Sequence, residues 1–389
     1  MNGYPKLITA ACFFTAAALA FASCKKDNTG TEQAIYTITN VNSPEPGTIL
    51  VSPYNTSSQD KGSLIIMDNE GNIISQKTTN GAAFCFKKWN INGQVRYSFI
   101  INDVNQYHIP SVNQLTGYVV VTDSALNELQ RIDLKAYGAI NTTSVNLDVH
   151  DFILLADDDY ITMSYYPMQA DNIPDSLHPS AGVTIICPVI QEVKNGSVVW
   201  QWLGSDHPEF YANSVEGNNF SDTSVAQDYM HMNSMIIDPR DNDLICSFRN
   251  QDQVIKIDRE TGNIVWRLGG KNSDFVLNDN ELFLRQHNAT LADNNQTLML
   301  FDNGDKTLRA QSRVIEFQLD ENAKTVNSFK AYNIPEPFSQ YMGSVQKIND
   351  KYFIGGGTGN YVVEINPATG AKSFEMTSNE TTYRAYKYP

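Results

Sequence analysis

The chain has 389 residues, with 43 acidic and 28 basic side chains and a formal net charge of −15. Hydrophobic residues make up 41% of it and charged residues 18%. This composition excludes an intrinsically disordered chain, and the length allows one to three domains. An acidic chain has no surplus of basic side chains to replace the counterions of nucleic acid, so a nucleic-acid partner is excluded. An aromatic content of 11% favours β-rich structure over a helical bundle.

Residues 1–23 have the pattern of an export signal. Residues 7–22 are almost entirely apolar and follow a single charged side chain, and the run is too short to cross a bilayer comfortably. It ends in Phe21-Ala-Ser-Cys24, which resembles the lipobox of bacterial lipoproteins. The resemblance implies that Cys24 is lipidated, that the protein is periplasmic, and that the lipid is its only membrane contact. Plain signal cleavage and a transmembrane anchor are the alternatives. The polar residues 24–33 predict a tether.

Three cysteines follow Cys24. Cys85, Cys187 and Cys246 each lie in an apolar run, which predicts buried free thiols. The chain contains neither a CxxC pair nor a GxxxxGK[ST] sequence, so we predict no metal site and no P-loop nucleotide cofactor.

A repeated unit runs through the rest of the chain. An apolar run, a small polar turn and a second apolar run recur six times, most clearly around Gly196-Ser-Val-Val-Trp and Gly262-Asn-Ile-Val-Trp. The equivalent turn positions are Gly71, Asn127, Gly196, Gly262, Lys324 and Gly370. Strand hairpins repeated every 46 to 69 residues predict an all-β fold, a six-bladed β-propeller. We assign residues 34–58 to a short N-terminal β segment and residues 59–389 to the propeller.

Three histidines occupy similar places in successive repeats. His150, His231 and His287 each stand at the start of an apolar run, and residues at equivalent positions of a propeller meet at its axis. Arg249 follows 18 residues after His231. Imidazole can act as a nucleophile, a general acid or base, or a metal ligand, whereas guanidinium suits a sulfate or phosphate oxyanion. Hydrogen-bonded structural histidines are the alternative to a reactive site. Asp151 or Asp302 could orient an imidazole, but Asp-rich turns are abundant in propellers, so a solvent-exposed turn is the favoured interpretation of either one alone.

These residues and their neighbours resemble the bacterial arylsulfate sulfotransferases. The motifs that carry the resemblance are His150-Asp151, His231-Met-Asn233-Ser234, Ser247-Phe-Arg249, Gln286-His287-Asn288, Leu300-Phe-Asp302-Asn-Gly304, Gly343-Ser344-Val-Gln and Tyr383-Arg384. The resemblance implies an exported six-bladed propeller. It also implies transfer of a sulfuryl group from a phenolic sulfate ester to a phenolic acceptor, without a cofactor.

The same resemblance implies roles for individual residues. His287 would be the nucleophile of a ping-pong reaction through a sulfohistidine. His231, His150 and Arg249 would surround the sulfuryl group and the phenolic oxygen, and Asn233 would bind substrate. Well-known members carry an N-terminal β-sandwich, which here is reduced or absent, and the oligomeric state is left open, with a homodimer as one option.

Two other functions fit the same residues. The first is a propeller that binds an anionic or aromatic ligand without catalysis. The second is a metal-dependent hydrolase or lyase with the three histidines as ligands. Sensitivity to a chelator separates the second from sulfuryl transfer.

Overall fold

The computed structural model describes residues 35–103, 116–143 and 145–389. The expected signal peptide at 1–23, the tether at 24–33 and Cys24 lie outside the described residues. In the part of the chain that is described, no helix is long and apolar enough to cross a bilayer.

Six antiparallel sheets, here numbered blades I to VI, follow one another along the chain. Their strands are, for blade I, Thr48–Val51, Pro53–Tyr54, Gly62–Met67 and Ile73–Thr79; for blade II, Ala83–Ile91, Gln94–Asn102, Thr116–Thr122, Glu128–Ile132 and Leu147–Asp148; for blade III, Phe152–Ala156, Asp159–Gln169, Thr184–Lys194 and Ser197–Leu203; for blade IV, Met232–Ile237, Leu244–Phe248, Gln253–Ile257 and Ile264–Gly269; for blade V, His287–Ala292, Thr297–Asp302, Arg313–Asp320 and Thr325–Asn333; and for blade VI, Ser344–Ile348, Lys351–Gly355, Tyr361–Ile365 and Lys372–Ser378. The predicted all-β fold, a six-bladed β-propeller, is confirmed.

Short helical turns connect some of these strands. They are the α-helix Glu209–Asn213 and the 3-10 turns Asp175–Leu177, Gly204–Asp206, Arg249–Gln251 and Gly357–Gly359.

Both ends of the described chain are built into the ring. The strand Tyr36–Val41 pairs with Lys372–Ser378 and completes the outer edge of blade VI. The last strand, Tyr386–Tyr388, pairs with Thr48–Val51 and completes the inner edge of blade I. The boundary expected at residue 58 is therefore wrong, because the strands Tyr36–Val41, Thr48–Val51 and Pro53–Tyr54 all belong to blades of the propeller. Pairing with the chain's other end covers strand edges that a separate segment would leave open.

The middle strands of blade IV are buried on both faces. Every residue of Leu244–Phe248 and of Gln253–Ile257 is buried, since each blade packs between two neighbours. These strands therefore read as continuous apolar runs rather than as alternating patterns. The outer strand Tyr36–Val41 instead alternates between half-buried and exposed residues.

The repeated turn positions connect the third and fourth strands of each blade. Gly71, Gly196, Gly262 and Gly370 have φ between 72° and 84°, a left-handed conformation that glycine adopts without steric cost. In blade II the left-handed residue is Leu126, with φ 63°, so the turn lies one residue before the position expected from the repeats.

Buried ion pairs connect neighbouring blades. Lys387 of the last strand lies 2.5 Å from a carboxylate oxygen of Glu364, and both side chains are fully buried. Lys256 of blade IV contacts Asp238 at 2.8 Å and Glu321 at 2.9 Å. Because each buried charge has a partner, the desolvation penalty of these groups is offset, and loss of one partner would be strongly destabilising.

Candidate active site

A cavity of about 570 Å³ lies where the six blades converge. Residues from every blade or its connections line it: Gln59, Phe84, Val149, His150, Glu216, Asp228, His231, Arg249, Asn250, Arg285, His287, Asn303, Tyr341, Met342 and Tyr383. The lining combines aromatic and apolar side chains with charged and imidazole groups, which suits an aromatic ligand that carries an anionic group.

The structure brings the three predicted histidines together. The ring centroid of His150 lies 5.1 Å from that of His231 and 5.9 Å from that of His287. Tyr383 is a fourth member, with its ring centroid 5.8 Å from that of His150 and 5.4 Å from that of His287. The histidines meet because each stands at or just before the first strand of its blade, and first strands face the axis.

The backbone around these histidines is unusual. His231, Arg285 and Asn288 have φ between 50° and 53°, a left-handed conformation that costs a non-glycine residue on the order of 1 kcal/mol. The first strands of blades IV and V also shift register near these residues. Such bulges turn a side chain away from the regular pleat, which aims the imidazoles into the cavity.

Two of the histidines are oriented by carboxylates. Nδ1 of His150 lies 2.6 Å from an oxygen of Asp148, and Nδ1 of His231 lies 2.6 Å from an oxygen of Asp228. A carboxylate at Nδ1 fixes the ring and compensates positive charge on it, which suits an imidazole that exchanges protons.

His287 has a different environment. Its Nδ1 lies 3.1 Å from the carbonyl oxygen of Gly343, and a carbonyl can only accept, so Nδ1 carries the proton and Nε2 the lone pair. The ring is 4% exposed. Burial, followed by the charges of Arg384 and His150, lowers the pKa of His287 well below its usual value. This imidazole is therefore neutral at neutral pH and has a nucleophilic Nε2.

Arg249 lies on the cavity wall immediately after a blade IV strand. Its Nη1 donates to Glu216 and, at 2.6 Å, to the side-chain oxygen of Asn250. The guanidinium carbon stands 5.6 Å from the ring centroid of Tyr341. These contacts hold a fixed positive charge beside the imidazoles.

Asn233, predicted to bind substrate, is fully buried and is not among the cavity-lining residues. Its amide donates to the carbonyl oxygen of Gln286 at 2.7 Å, and Ser234 accepts the backbone N–H of Ala289 at 2.9 Å. The motif residues beside His231 thus tie blade IV to the strand that carries His287.

The two carboxylates considered for orienting an imidazole form ion pairs with basic side chains instead. Asp151 is buried in an ion cluster with Lys87 and Arg384, the latter at 3.2 Å. Asp302 pairs with Arg309 at 2.8 Å and with Arg313 at 2.7 Å. Neither carboxylate orients an imidazole, and the favoured interpretation as solvent-exposed turns is wrong because both are buried. The carboxylates at the rings of His150 and His231 are Asp148 and Asp228.

Sequence reasoning missed four charged residues around the cavity: Asp148, Asp228, Glu216 and Arg285. The first two carried a usable signal, since an Asp precedes His150 by two residues and His231 by three. Glu216 and Arg285 lie outside the repeated unit and carried none.

His178 and His207 lie outside the lining, and His207 stacks on Trp202 at 5.1 Å between ring centroids.

Comparison with solved structures finds only low similarity. A protein of unknown function from Bacteroides caccae has a TM-score of 0.49 and 10% identity, over 88% of this chain and 99% of that one. Apo AztD from Citrobacter koseri has a TM-score of 0.42 and 8% identity, over 88% and 99%. The nidogen/laminin complex has a TM-score of 0.46 and 9% identity, over 87% and 97%. No curated protein matches the chain.

The family comparison is far more informative. The model described as Arylsulfotransferase (ASST) matches residues 21–388, a span that contains all six blades and every residue of the cavity described above. The chain therefore belongs to the arylsulfotransferase family and is a sulfotransferase, an enzyme with a sulfuryl donor and an acceptor.

Proposed function

We propose that the protein transfers a sulfuryl group from a phenolic sulfate ester to a phenolic acceptor, by a ping-pong reaction through a sulfohistidine at His287. The observation that carries the proposal is the contrast among the three imidazoles. His150 and His231 have a carboxylate at Nδ1, whereas His287 has a neutral carbonyl. The first two suit proton transfer, and the third suits nucleophilic attack.

In the first half-reaction, Nε2 of His287 attacks the sulfur atom of the donor ester. The N–S bond forms as the bond between sulfur and the aryl oxygen breaks, and the electron pair leaves on that oxygen. The imidazolium of His150 or His231 then gives its Nε2 proton to the phenolate. The positive charge that His287 gains is offset by the sulfonate on Nε2 and by the Gly343 carbonyl at Nδ1–H.

In the second half-reaction, the acceptor phenol gives its proton to the same imidazole. Its oxygen attacks the sulfur atom, the N–S bond breaks, and the electron pair returns to Nε2 of His287. The guanidinium of Arg249 stabilises the sulfuryl oxygens in both steps, because it is a fixed charge that needs no reorganisation. One site thus serves donor and acceptor in turn, which is the structural requirement of a ping-pong reaction.

Release of nitrophenol from 4-nitrophenyl sulfate tests this proposal. Phenol should accelerate release, a chelator should leave it unchanged, and His287→Ala should abolish it. His178→Asn is the matched control, because His178 lies outside the cavity and its left-handed backbone tolerates Asn. Release that phenol does not affect would indicate a sulfatase. Loss of activity with chelator would indicate a metal hydrolase, and no turnover by folded protein would favour a binding propeller.

A sulfohistidine can also be detected directly. Donor with ³⁵S in the sulfuryl group should leave an acid-labile label on the wild-type protein when acceptor is omitted, and the label should leave with added phenol. An unlabelled protein that nevertheless turns over would contradict the covalent step.

We further propose that the protein is exported and anchored by a lipid at Cys24, on the basis of the lipobox-like sequence. Incorporation of labelled palmitate by the wild type but not by Cys24→Ser would support the anchor. Equal incorporation by both proteins would contradict it.

A further inference from the structure

One carboxylate joins the two arginines of the cavity. Oxygen Oε2 of Glu216 contacts Nη1 of Arg249, and Oε1 lies 2.7 Å from Nη2 of Arg285. All three side chains line the cavity that holds the histidines. Glu216 therefore occupies the position between two guanidinium groups that an oxyanion would otherwise take.

The connection between blades III and IV holds Glu216 in place. The backbone N–H of Val215 donates to the carbonyl of Asn250 at 2.9 Å, and the hydroxyl of Ser214 donates to the carbonyl of Glu216 itself at 2.5 Å. The next residue, Gly217, has φ 62°, and a Cβ there would lie 2.3 Å from the carbonyl oxygen of Asp228. The backbone is fixed at this point, whereas the side chain of Glu216 is 33% exposed.

The charges of Arg249 and Arg285 are balanced by those of their carboxylate partners. Arg285 has a second partner, Asp305, at 3.1 Å from its Nη1, so two arginines and two carboxylates carry no net formal charge. Nη1 of Arg249 is shared by Glu216 and Asn250. Within the described residues, Nε and Nη2 of Arg249 have no hydrogen-bond partner, so one edge of this guanidinium stays available to a ligand.

Sulfate esters and inorganic sulfate differ in charge. An aryl sulfate carries one negative charge and inorganic sulfate carries two at neutral pH, and paired arginines favour the dianion. A cavity with both arginines free would therefore bind inorganic sulfate better than an aryl sulfate of equal fit.

We propose that Glu216 is a specificity-determining residue that excludes inorganic sulfate and similar dianions from the cavity by occupying both arginines. The free edge of Arg249 remains for the single charge of an aryl sulfate. This inference rests on the proposed function, since it assumes that the cavity receives a sulfate ester.

Binding of inorganic sulfate, measured by titration calorimetry at constant ionic strength with sodium chloride as the reference salt, tests the inference. Glu216→Gln should bind sulfate about tenfold more tightly than the wild type, or better, because the carboxylate that occupies the anion position between Arg249 and Arg285 is removed. Adding Arg285→Gln to the Glu216→Gln variant should reverse the gain in sulfate affinity. Glu216→Ala is a second variant with the same expectation.

Asp305→Asn is the matched control, because it also removes one carboxylate from Arg285 but lies outside the cavity lining. It should change sulfate binding much less than Glu216→Gln. Equal binding by the wild type and both Glu216 variants, or an equal gain in Asp305→Asn, would overturn the inference. Turnover is not needed for this measurement, so a failed inference and a failed sulfotransferase assay are distinguishable.

Discussion

The hydroxyl oxygen of Tyr383 lies 3.4 Å from Nε2 of His287 and 3.2 Å from the carbonyl oxygen of His150. Burial raises the pKa of Tyr383 well above its usual value, so the hydroxyl keeps its proton. The hydroxyl donates this proton to the nearer acceptor, the carbonyl oxygen of His150. The lone pair on Nε2 of His287 therefore stays available to the sulfate ester. Tyr383 thus contacts Nε2 of His287, the atom that reacts in the proposed sulfuryl transfer.

Tyr383→Phe should lower kcat/KM about three- to tenfold, the worth of one hydrogen bond, without abolishing the reaction. The ring that packs on both histidines remains, so the fold and the labelling of His287 should persist. Steady-state kinetics with 4-nitrophenyl sulfate and phenol gives the measurement. A loss as complete as that of His287→Ala would mean that the hydroxyl takes part in the bond changes themselves.

A comparison of Asp148→Asn with Asp228→Asn should show whether the imidazole of His150 or that of His231 acts as the general acid. Loss of the carboxylate destabilises the imidazolium, so less of the ring is in the protonated form that donates, and the rate should fall about a hundredfold for a poor leaving group. The loss should be much smaller for nitrophenolate, which needs little protonation. We expect one of the two variants to show this dependence when phenyl sulfate and 4-nitrophenyl sulfate are compared. If neither shows it, the imidazoles of His150 and His231 do not serve as general acids.

His287 should stay neutral at pH values where an ordinary histidine is half protonated. Its pKa is lowered mainly by burial and then by Arg384 and His150, so the folded protein binds this proton less readily than the unfolded chain. Acidification through about pH 6.5 therefore removes stability, because the unfolded chain takes up the proton first. NMR of ¹⁵N-labelled histidine, assigned by comparison with His287→Asn, should show an unprotonated Nε2 at pH 6. A midpoint at or above pH 6.5 would contradict the environment described for this ring.

Asp252→Asn should stabilise the protein at neutral pH. Burial raises the pKa of Asp252 to about 6. Its carboxyl group accepts a hydrogen bond from the backbone N–H of Arg285 at 2.6 Å, and the side-chain oxygen of Asn can accept the same hydrogen bond. Between about pH 4 and pH 6 the folded state holds this proton and the unfolded state does not, so stability falls as pH rises through that window. The variant should gain about 1–3 kcal/mol in free energy of unfolding at pH 7.5.

Urea denaturation at pH 7.5 and at pH 4 provides the check for Asp252→Asn, and the gain should vanish at the lower pH. The exposed Asp222, whose pKa is lowered mainly by its bond to Ser224, is the control, and Asp222→Asn should give no gain. A destabilised Asp252→Asn at pH 7.5 would mean that the carboxylate is charged and paired in the folded protein.

The blades and the meeting of the three histidines in one cavity could be predicted because their signals are local. Each histidine stands at the start of an apolar run, and each repeat has its own turn. The carboxylate beside His150 was assigned wrongly for a geometric reason: successive side chains of an extended backbone point to opposite faces. Asp151 therefore points away from the ring, whereas Asp148, two residues before His150, shares its side.

The remaining features depend on residues that are distant in sequence. The strand Tyr36–Val41 finds its partner more than 300 residues later in the chain, and no periodicity in the short segment indicates that pairing. Glu216 lies in a connection with no counterpart in the other repeats. Its contact with Arg285 exists only because blades IV and V bring the two connections to one cavity wall.

The position of Tyr383 between the closing strands Thr381–Thr382 and Tyr386–Tyr388 couples assembly of the site to completion of the ring. The two strands that flank Tyr383 pair with Thr48–Val51 and Pro53–Tyr54, which lie more than 300 residues earlier in the sequence. The same strand pairs that close blade I therefore hold the aromatic neighbour of His287 in the cavity. A substitution that weakens this closure should disturb the cavity even when it lies far from every histidine.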